Sequence, residues 1–346
     1  MKRAMISIIL ISMLLASSTT VFVHARTEPK DEVEPTVGDV HVDASSVLRE
    51  MGYTDENIST ASTGMLVQLL RSYDVTPTIL PDGSYQVTIT SNSSTIEPTA
   101  PAELQDIAPA IESEMGTTGT SLDSLEGKAC LVVAIWDYPG TGLDIPPGED
   151  KYDQIDYWIS NYAEYDYRKD LVNSDATWYY IWAWLTWECA SYGSIDVYWS
   201  GHGTHISWQW PWIQITAFIS YDAWDDSSGV NPGNCYVAYD FETDGIHGEY
   251  DYSTLRTGIG SFCYGWGFHD MFLDPGGSET HYRAFAGPDG TSDTGYGTVY
   301  LQYWGYWWYL ASYSTYESYC YADEEAWEQY SGNTRYSYDE TGSIWF

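Results

Sequence analysis

The chain has 346 residues, enough for one large domain or two smaller ones. It carries 50 acidic side chains against 13 basic ones, which is a formal charge of -37 at neutral pH. A surface with this charge repels nucleic acid and anionic lipid, so both are excluded as partners.

The first 25 residues are typical of a secretory signal peptide. Two basic residues precede an apolar run over residues 4–16, and VHA at residues 23–25 resembles a cleavage site. The run is short for a membrane anchor, which is the alternative, and no other stretch of the sequence is long and apolar enough to span a bilayer. We therefore expect a secreted, extracellular protein with no membrane contact once the signal is removed.

Residues 26–127 are rich in Thr, Ser, Pro and Glu and poor in aromatic side chains. The alternation in SYQVTIT predicts a strand over residues 84–90, and residues 95–101 are typical of a linker. Three helices are predicted, over residues 44–51, 61–73 and 102–115. We interpret the region as a small α+β propeptide or accessory domain, with a plain linker and spacer as the alternative.

Strands and helices then alternate. The apolar run CLVVAIW at residues 130–136 predicts a strand that is buried on both faces. An acidic first turn at residues 149–150 opens a helix with one apolar face, and Asp175 is expected to cap a second helix over residues 176–190. A strand over residues 195–200 follows, and this βαβ order predicts a mainly parallel sheet with right-handed crossovers.

The second half of the chain is less clearly patterned. A β-hairpin or insertion is predicted over residues 206–221, and a weaker strand over residues 255–262 ends on Cys263. Residues 281–286 and 298–310 are predicted to be strands, or a strand followed by a helix. The aromatic-rich, acidic tail to Phe346 receives no assignment.

His202 lies where the strand SIDVYWS ends in a Gly-His-Gly turn. Gly201 and Gly203 leave the backbone bare on both sides, so the imidazole can move a proton and a neighbouring N–H can face a substrate. Cys263 ends a later strand beside Gly265. Because the carboxyl ends of parallel strands meet at one edge, we expect the imidazole to lie near the thiol and to convert it to the nucleophilic thiolate.

In their order along the chain, these motifs resemble those of the caspase-like cysteine peptidases of clan CD, which include caspases, metacaspases, legumains, gingipains and clostripain. CLVVAIWDYPGTGLDIP resembles the metacaspase-type opening, and DATWYYIWAWL resembles the helix before the histidine strand. VYWSGHG is similar to the Ser-Gly-His-Gly motif, and GSFCYGWGF occupies the cysteine position. The likeness spans residues 128–312. It implies a three-layer αβα sandwich and hydrolysis of peptide bonds through a thioester acyl-enzyme.

The resemblance also implies roles for single residues. Cys263 is the nucleophile and His202 the general base or acid, while the amides of Gly203 and Cys263 are the expected oxyanion donors. Ser261 takes the position that lines the S1 pocket, where many relatives have an acidic or amide residue. Asp150 is the nearest match to a second pocket carboxylate, which would favour Arg or Lys at P1. Cys-Tyr-Gly stands where the family more often shows Cys-x-Ser/Gly-Gly.

Other interpretations remain open. The chain has five cysteines, so Cys263 is either a free thiol or half of a disulfide, for instance with Cys235. In the second case the chain is an inactive homologue that acts as an extracellular binding module. His202 is alternatively a turn residue without a role, and His269 is the competing base. A glycosidase built on two carboxylates is a weaker third option.

The sequence predicts no cofactor and no metal. A group of acidic side chains could hold calcium, although a solvated acidic loop is the interpretation that we adopt: Asp137, Asp144, Glu149, Asp150 and Asp153. We divide the chain into a signal peptide (residues 1–25), a propeptide or accessory domain (26–127) and a catalytic domain with an aromatic-rich C-terminal extension (128–346). The expected protein is a secreted thiol protease, made as a zymogen, that acts on polypeptide substrates.

Overall fold

The structure is a computed structural model. It describes residues 37–43, 49, 54, 73–79, 85–91, 127–140, 142–145, 148–185, 192–209, 212–237, 255–273, 282–342 and 344–345. The predicted signal peptide, the predicted linker and the predicted helix over residues 102–115 lie outside these residues, as do almost all positions of the predicted helices over residues 44–51 and 61–73. Among the described residues, no helix has the length and apolar character needed to cross a membrane.

The described elements form two sheets and five α-helices. In chain order the strands are β1 (Val40–Asp43), β2 (Tyr73–Ile79), β3 (Tyr85–Ser91), β4 (Lys128–Ala134), β5 (Tyr167–Val172), β6 (Ser194–Ser200), β7 (Gly203–Gln209), β8 (Trp212–Phe218), β9 (Trp224–Asp225), β10 (Gly229–Val230), β11 (Tyr236–Val237), β12 (Leu255–Ser261), β13 (Ala284–Pro288) and β14 (Tyr336–Glu340). The helices are α1 (Gly148–Tyr162), α2 (Trp178–Ala183), α3 (His269–Leu273), α4 (Thr294–Gly305) and α5 (Thr315–Gln329). The small β9–β10 pair is separate from the two larger sheets.

The main sheet has the strand order β14-β13-β12-β6-β4-β5. Every neighbouring pair from β5 to β13 is parallel, and β14 alone runs antiparallel, against β13. The predicted α/β class with a mainly parallel sheet is confirmed. Neighbouring strands of this sheet are separated along the chain by other segments. Because parallel neighbours cannot be joined by a tight turn, the helices between them cross over the faces of the sheet.

Both faces of the main sheet are covered, which explains the unbroken apolar run of β4. Cys130 and Val132 point into one core, and Leu131 and Val133 into the other, as the two-residue period of a strand requires. The first core is completed mainly by α1, α4 and α5, through Ile155, Trp158, Tyr300, Trp304 and Tyr319. The second core contains α2 and α3 side chains, among them Ile181 and Phe272.

The second sheet has the order β11-β8-β7-β1-β3-β2. β7 and β8 form the antiparallel hairpin that the sequence predicts over residues 206–221. β1, β2 and β3 come from the predicted propeptide or accessory region, and β3 matches the predicted strand over residues 84–90. These three strands do not form a sheet of their own, because β1 pairs in parallel with both β3 and β7.

One prediction about a helix is wrong in detail. Asp175 does not cap α2; it ends a short 3₁₀ turn, and Thr177 is the cap, with its Oγ1 accepting from Tyr180 N at 3.3 Å.

Of the two alternatives predicted for residues 281–286 and 298–310, the strand followed by a helix is confirmed. β13 is the strand, and no strand is found over residues 298–310. These residues belong to α4 and a following π-turn, because the Asp293 side chain caps the helix and accepts from Tyr296 N at 2.9 Å.

The two edge strands of the main sheet, β5 and β14, and the helix α5 were not predicted. β5 (YRKDLV) is charged because it lies at an edge and is mostly half-buried, so the alternation that marks a strand is weak. The tail to Phe346 forms α5 and β14. A capping box, in which Ser314 and Glu317 satisfy each other's backbone N–H groups, begins α5.

Candidate active site

His202 and Cys263 follow neighbouring parallel strands that end in register. Ser200, the last residue of β6, is paired with Ser261, the last residue of β12. His202 and Cys263 each lie two residues beyond this pair. The structure therefore brings both residues to the same edge of the main sheet, as the sequence predicts for parallel strands.

The backbones behind these two side chains are in close contact. A Cβ atom at Gly203 would overlap the carbonyl oxygen of Cys263 and lie 2.5 Å from the Phe262 ring. Only a glycine can follow His202 without pushing the cysteine loop away. The glycine after His202 is thus explained by how closely the two loops approach.

The His202 imidazole is fully buried and is oriented by a backbone carbonyl. Its Nε2 lies 2.8 Å from the carbonyl oxygen of Leu143, in the loop that follows β4. Because a carbonyl can only accept, Nε2 carries the proton, and in the neutral ring Nδ1 holds the lone pair. Nδ1 is then the nitrogen that can take a proton from a nucleophile.

Tyr138 fixes the main chain at His202. Its hydroxyl accepts from His202 N at 3.1 Å and donates to the Ile219 carbonyl oxygen at 2.9 Å, while Ile219 N donates to the His202 carbonyl oxygen at 3.0 Å. The Tyr138 ring centroid lies 5.4 Å from that of His202. Sequence reasoning missed Tyr138 and Leu143. For Tyr138 the available signal was its place in the Tyr-Pro-Gly turn after the first buried strand.

Cys263 is a free thiol and is 2% exposed. Its sulfur accepts a hydrogen bond from Ser292 N at 3.3 Å, and an N–H aimed at sulfur stabilises negative charge there. Cys235, the partner in the alternative disulfide, is also a free thiol in this structure, and its sulfur donates to the Asn231 carbonyl oxygen at 3.6 Å. Cys189 lies outside the described residues.

The loop after Cys263 is held in an unusual conformation. Tyr264 has φ 61°, the left-handed region that residues other than glycine rarely adopt. Tyr264 N donates to the Gly290 carbonyl oxygen at 2.7 Å, and the Tyr264 ring stacks on His205 with centroids 3.8 Å apart. These contacts hold Tyr264 in this conformation.

The pairing of β7 with β8 gives the direction of the Gly203 N–H, one of the two predicted oxyanion donors. Gly203 is opposite Phe218, and Ile219 N donates to the His202 carbonyl oxygen, so Gly203 and Phe218 are a pair without mutual hydrogen bonds. The Gly203 N–H therefore points away from β8. The roles of the Gly203 and Cys263 N–H groups as oxyanion donors stay predictions.

Ser261 is fully buried on the face of the sheet covered by α1 and α4. Its hydroxyl lies 2.6 Å from the Tyr336 hydroxyl, and its carbonyl oxygen accepts from Lys151 Nζ at 3.3 Å. Lys151 is itself fully buried. A positive charge thus lies beside the residue expected to line the S1 pocket, a feature that the sequence did not reveal.

Asp150 is exposed in the first turn of α1, next to Lys151 in the chain. Loss of solvation and the negative charge of Asp153 raise its pKa. Burial, then the charges of Asp293 and Asp150, raise the pKa of Tyr330. Asp150 therefore belongs to an acidic neighbourhood that includes Asp293, the residue after Ser292, whose N–H approaches the Cys263 sulfur.

His269, the competing base, is engaged elsewhere. Its Nδ1 lies 2.7 Å from the Trp266 carbonyl oxygen, and its ring stacks on the Trp266 ring with centroids 4.4 Å apart. His202, by contrast, follows the strand next to the cysteine strand. We therefore keep His202 as the candidate base.

No group of three or more His, Cys, Asp or Glu side chains is arranged to hold a metal ion within the described part of the chain. Asp144, one of the acidic residues considered for calcium, instead accepts from Tyr138 N at 3.2 Å. This bond folds the loop that carries Leu143 toward His202.

Comparisons with known proteins assign no family: no protein-family model matches this chain, and no curated protein does. The chemistry of the site is therefore inferred from its own residues and from the motif resemblance.

Proposed function

We propose that the chain is a secreted cysteine endopeptidase with a caspase-like catalytic domain. The observation that carries this proposal is the register of β6 and β12, which brings His202 and Cys263 to one edge with Nε2 of the histidine bonded to Leu143. The motif order also supports it. β4 is a buried first strand, β6 leads into His-Gly, and β12 leads into the cysteine, as in the peptidases that the sequence resembles.

The reaction follows from the assigned tautomer. His202 Nδ1 takes the proton of the Cys263 thiol, and the thiolate sulfur attacks the carbonyl carbon of the peptide. The resulting oxyanion accepts from the N–H groups of Gly203 and Cys263. The C–N bond then breaks, the leaving amine takes the proton from the imidazolium, and a thioester remains. Water attacks the thioester, passes a proton to Nδ1, and releases the acid and the thiol.

We propose further that the described conformation is the precursor form. The His202 and Cys263 side chains are 0% and 2% exposed, so a peptide carbonyl has no open path to the sulfur. Opening requires the segments next to the sulfur, which include Ser292 and Tyr264, to move. This fits the expectation that the protein is made as a zymogen and matured by cleavage.

The P1 preference depends on two neighbouring side chains of opposite charge. Asp150 favours Arg or Lys at P1, whereas Lys151 lies at the Ser261 carbonyl oxygen and repels a basic side chain that reaches that depth. We propose a basic P1 residue whose charge stays near the exposed Asp150 and does not reach Ser261.

A positional-scanning peptide library tests the proposal. The wild type, Cys263→Ala and Cys235→Ala are compared, because Cys235 is a second buried cysteine to which no catalytic role is assigned. We expect cleavage by the wild type and by Cys235→Ala but not by Cys263→Ala. Cleavage that survives in Cys263→Ala removes the nucleophile. An unreactive Cys263 thiol in a protein that cleaves no peptide supports the binding-module alternative.

The same peptide library, applied to Asp150→Asn and Asp153→Asn, tests whether Asp150 belongs to the S1 pocket. Both substitutions remove one charge from the first turns of α1, but only Asp150 is assigned to S1. We expect Asp150→Asn to reduce cleavage after Arg and Lys by about tenfold, the value of one charge-assisted contact, and Asp153→Asn to leave the profile unchanged. Equal profiles for both variants would refute the role of Asp150.

A further inference from the structure

The N-terminal strands form one half of the second sheet, and β7, β8 and β11 form the other half. β1 is between β7 and β3, and it runs parallel to both. β2 and β3 pair over seven positions, from Tyr73↔Ser91 to Ile79↔Tyr85. Removal of these strands would leave β7 unpaired where it now pairs with β1, from Ile206 to Trp208. We propose that β1, β2 and β3 are a permanent part of the fold, and that they stay bound without a covalent link when the chain is cut between residues 92 and 126.

Buried and polar contacts hold β1 against β7. Val40 is fully buried, and Val37 is 8% exposed in the same core. The Thr204 hydroxyl donates to the Gly38 carbonyl oxygen at 3.0 Å, and His205 Nδ1 lies 3.7 Å from the Asp39 carboxylate. Apolar burial, backbone pairing and side-chain contacts therefore all act on one short strand, so loss of the chain connection would not by itself release it.

The register brings the segment to the edge of the candidate site. Val40 is paired with Ile206, so the parallel register extended by three residues places Val37 level with Gly203, which follows His202. On the same side, His205 contacts both Asp39 and the ring of Tyr264, the residue after Cys263. The N-terminal segment thus contacts β7 directly after His202, and it is linked to the loop of Cys263 through His205.

The contacts at the start of β4 also limit where the chain can be cut during maturation. Lys128, at the predicted junction, is the first residue of β4, and its N donates to the Asp166 carboxylate at 2.8 Å. A cut that leaves the main sheet intact therefore lies before residue 127. Cleavage there produces two chains that stay together as one folded unit. In the alternative, a propeptide would dissociate after cleavage.

The test uses the full chain with a recognition site for a sequence-specific protease inserted within residues 95–101. After complete cutting, size-exclusion chromatography and mass spectrometry under native conditions should find both fragments in one complex. The N-terminal fragment eluting alone, while the remainder keeps its native circular dichroism, would overturn the inference. Because the readout is mass, it is independent of peptide cleavage, which tests the proposed function.

Two variants locate the interaction in β1. Val40→Asp places a charge at a fully buried position, whereas His41→Asp changes the next residue, which is half-buried and faces the other side of the strand. We expect Val40→Asp to raise the dissociated fraction after cutting at least tenfold more than His41→Asp. Thr204→Val removes the hydroxyl that donates to the Gly38 carbonyl oxygen at 3.0 Å and lies 3.4 Å from the His205 carbonyl oxygen. It should raise the dissociated fraction to a smaller extent, and it serves if Val40→Asp fails to fold. The role of β1 would be refuted by two results together: wild type and Thr204→Val retain the N-terminal fragment equally, and Val40→Asp and His41→Asp release it equally.

Discussion

The carbonyl oxygen of Leu143 lies 2.8 Å from Nε2 of His202. A main-chain atom in the loop after the first core strand therefore decides which imidazole nitrogen can act as a base. Asp144 and Tyr138 fold that loop, and Tyr138 also binds the His202 backbone. The histidine is thus oriented from outside its own strand, which is consistent with a role in proton transfer.

The tautomers of two histidines provide a direct test of this orientation. His202 should carry its proton on Nε2, because that nitrogen faces Leu143, and His269 should carry it on Nδ1, because that nitrogen faces Trp266. Nitrogen-15 spectra of histidine-labelled protein at neutral pH distinguish the two forms, with His202→Gln and His269→Gln to assign the signals. An Nδ1-protonated His202 would contradict the proposed mechanism.

Tyr138→Phe should weaken catalysis more than binding. The change removes the hydroxyl that joins His202 N to Ile219, so we expect the free energy of unfolding to fall by about 1–2 kcal/mol. Misplacement of the imidazole should lower kcat about 10- to 100-fold with little change in KM. Steady-state kinetics and urea unfolding measure the two effects.

The matched control is Tyr300→Phe. Tyr300 is fully buried in the other core, and the structure gives no hydrogen-bond partner for its hydroxyl. Removal of that hydroxyl should leave kcat unchanged and should not lower stability. Equal kinetic losses in both variants would show that Tyr138 has only a structural role.

Gly203→Ala should abolish peptide cleavage while the fold persists. The added Cβ would overlap the Cys263 carbonyl oxygen, so the nucleophile loop must shift, and we expect a loss of about 100-fold or more in kcat/KM. Gly290→Ala is the control, since its nearest neighbour would be Thr334 Oγ1 at 3.1 Å. Wild-type kinetics in Gly203→Ala would mean that the two loops do not act together.

Acid should remove the stability supplied by a buried ion pair between β6 and β12. Asp196 accepts from Arg256 Nε at 2.8 Å, and both residues are buried. Burial alone would raise the pKa of Asp196, but the charge and hydrogen bonds of Arg256, with bonds from Tyr165 and Thr257, hold this pKa below its ordinary value. The unfolded state therefore binds the proton more readily. The stabilisation is complete above the ordinary carboxyl pKa of about 4 and is lost as the pH falls through the lower folded value.

Asp196→Asn tests this linkage. At pH 7 it removes the carboxylate charge beside the buried Arg256 guanidinium, so we expect a loss of about 3–5 kcal/mol in the free energy of unfolding. The difference from wild type should shrink below pH 4, as the wild-type carboxyl is protonated. Asp156→Asn, in the more exposed pair with Arg168, should cost no more than about 1 kcal/mol. Urea unfolding at pH 7 and pH 3.5 measures each difference, and a constant gap for Asp196→Asn would contradict the assignment.

Local patterns determined the elements that carry the candidate site. The apolar run of β4, the acid-capped α1, and β6, β7, β8 and β12 were predicted because periodicity and turn residues act over a few neighbouring positions. The edge strands β5 and β14 were not, because edge residues are half-buried and charged. For residues 298–310 the pattern left a strand and a helix open, because aromatic residues favour strands; burial and the Asp293 cap decide for the helix α4.

By itself the sequence determined which side chains could do chemistry, His202 and Cys263, and that each ends a core strand. Only the tertiary structure decided that β6 and β12 are neighbours in register and that β1 pairs with β7, because long-range pairing depends on how all the strands bury their faces together. It alone also identified the Leu143 carbonyl. Every residue has a backbone carbonyl, so no amino-acid pattern can indicate which one will orient an imidazole.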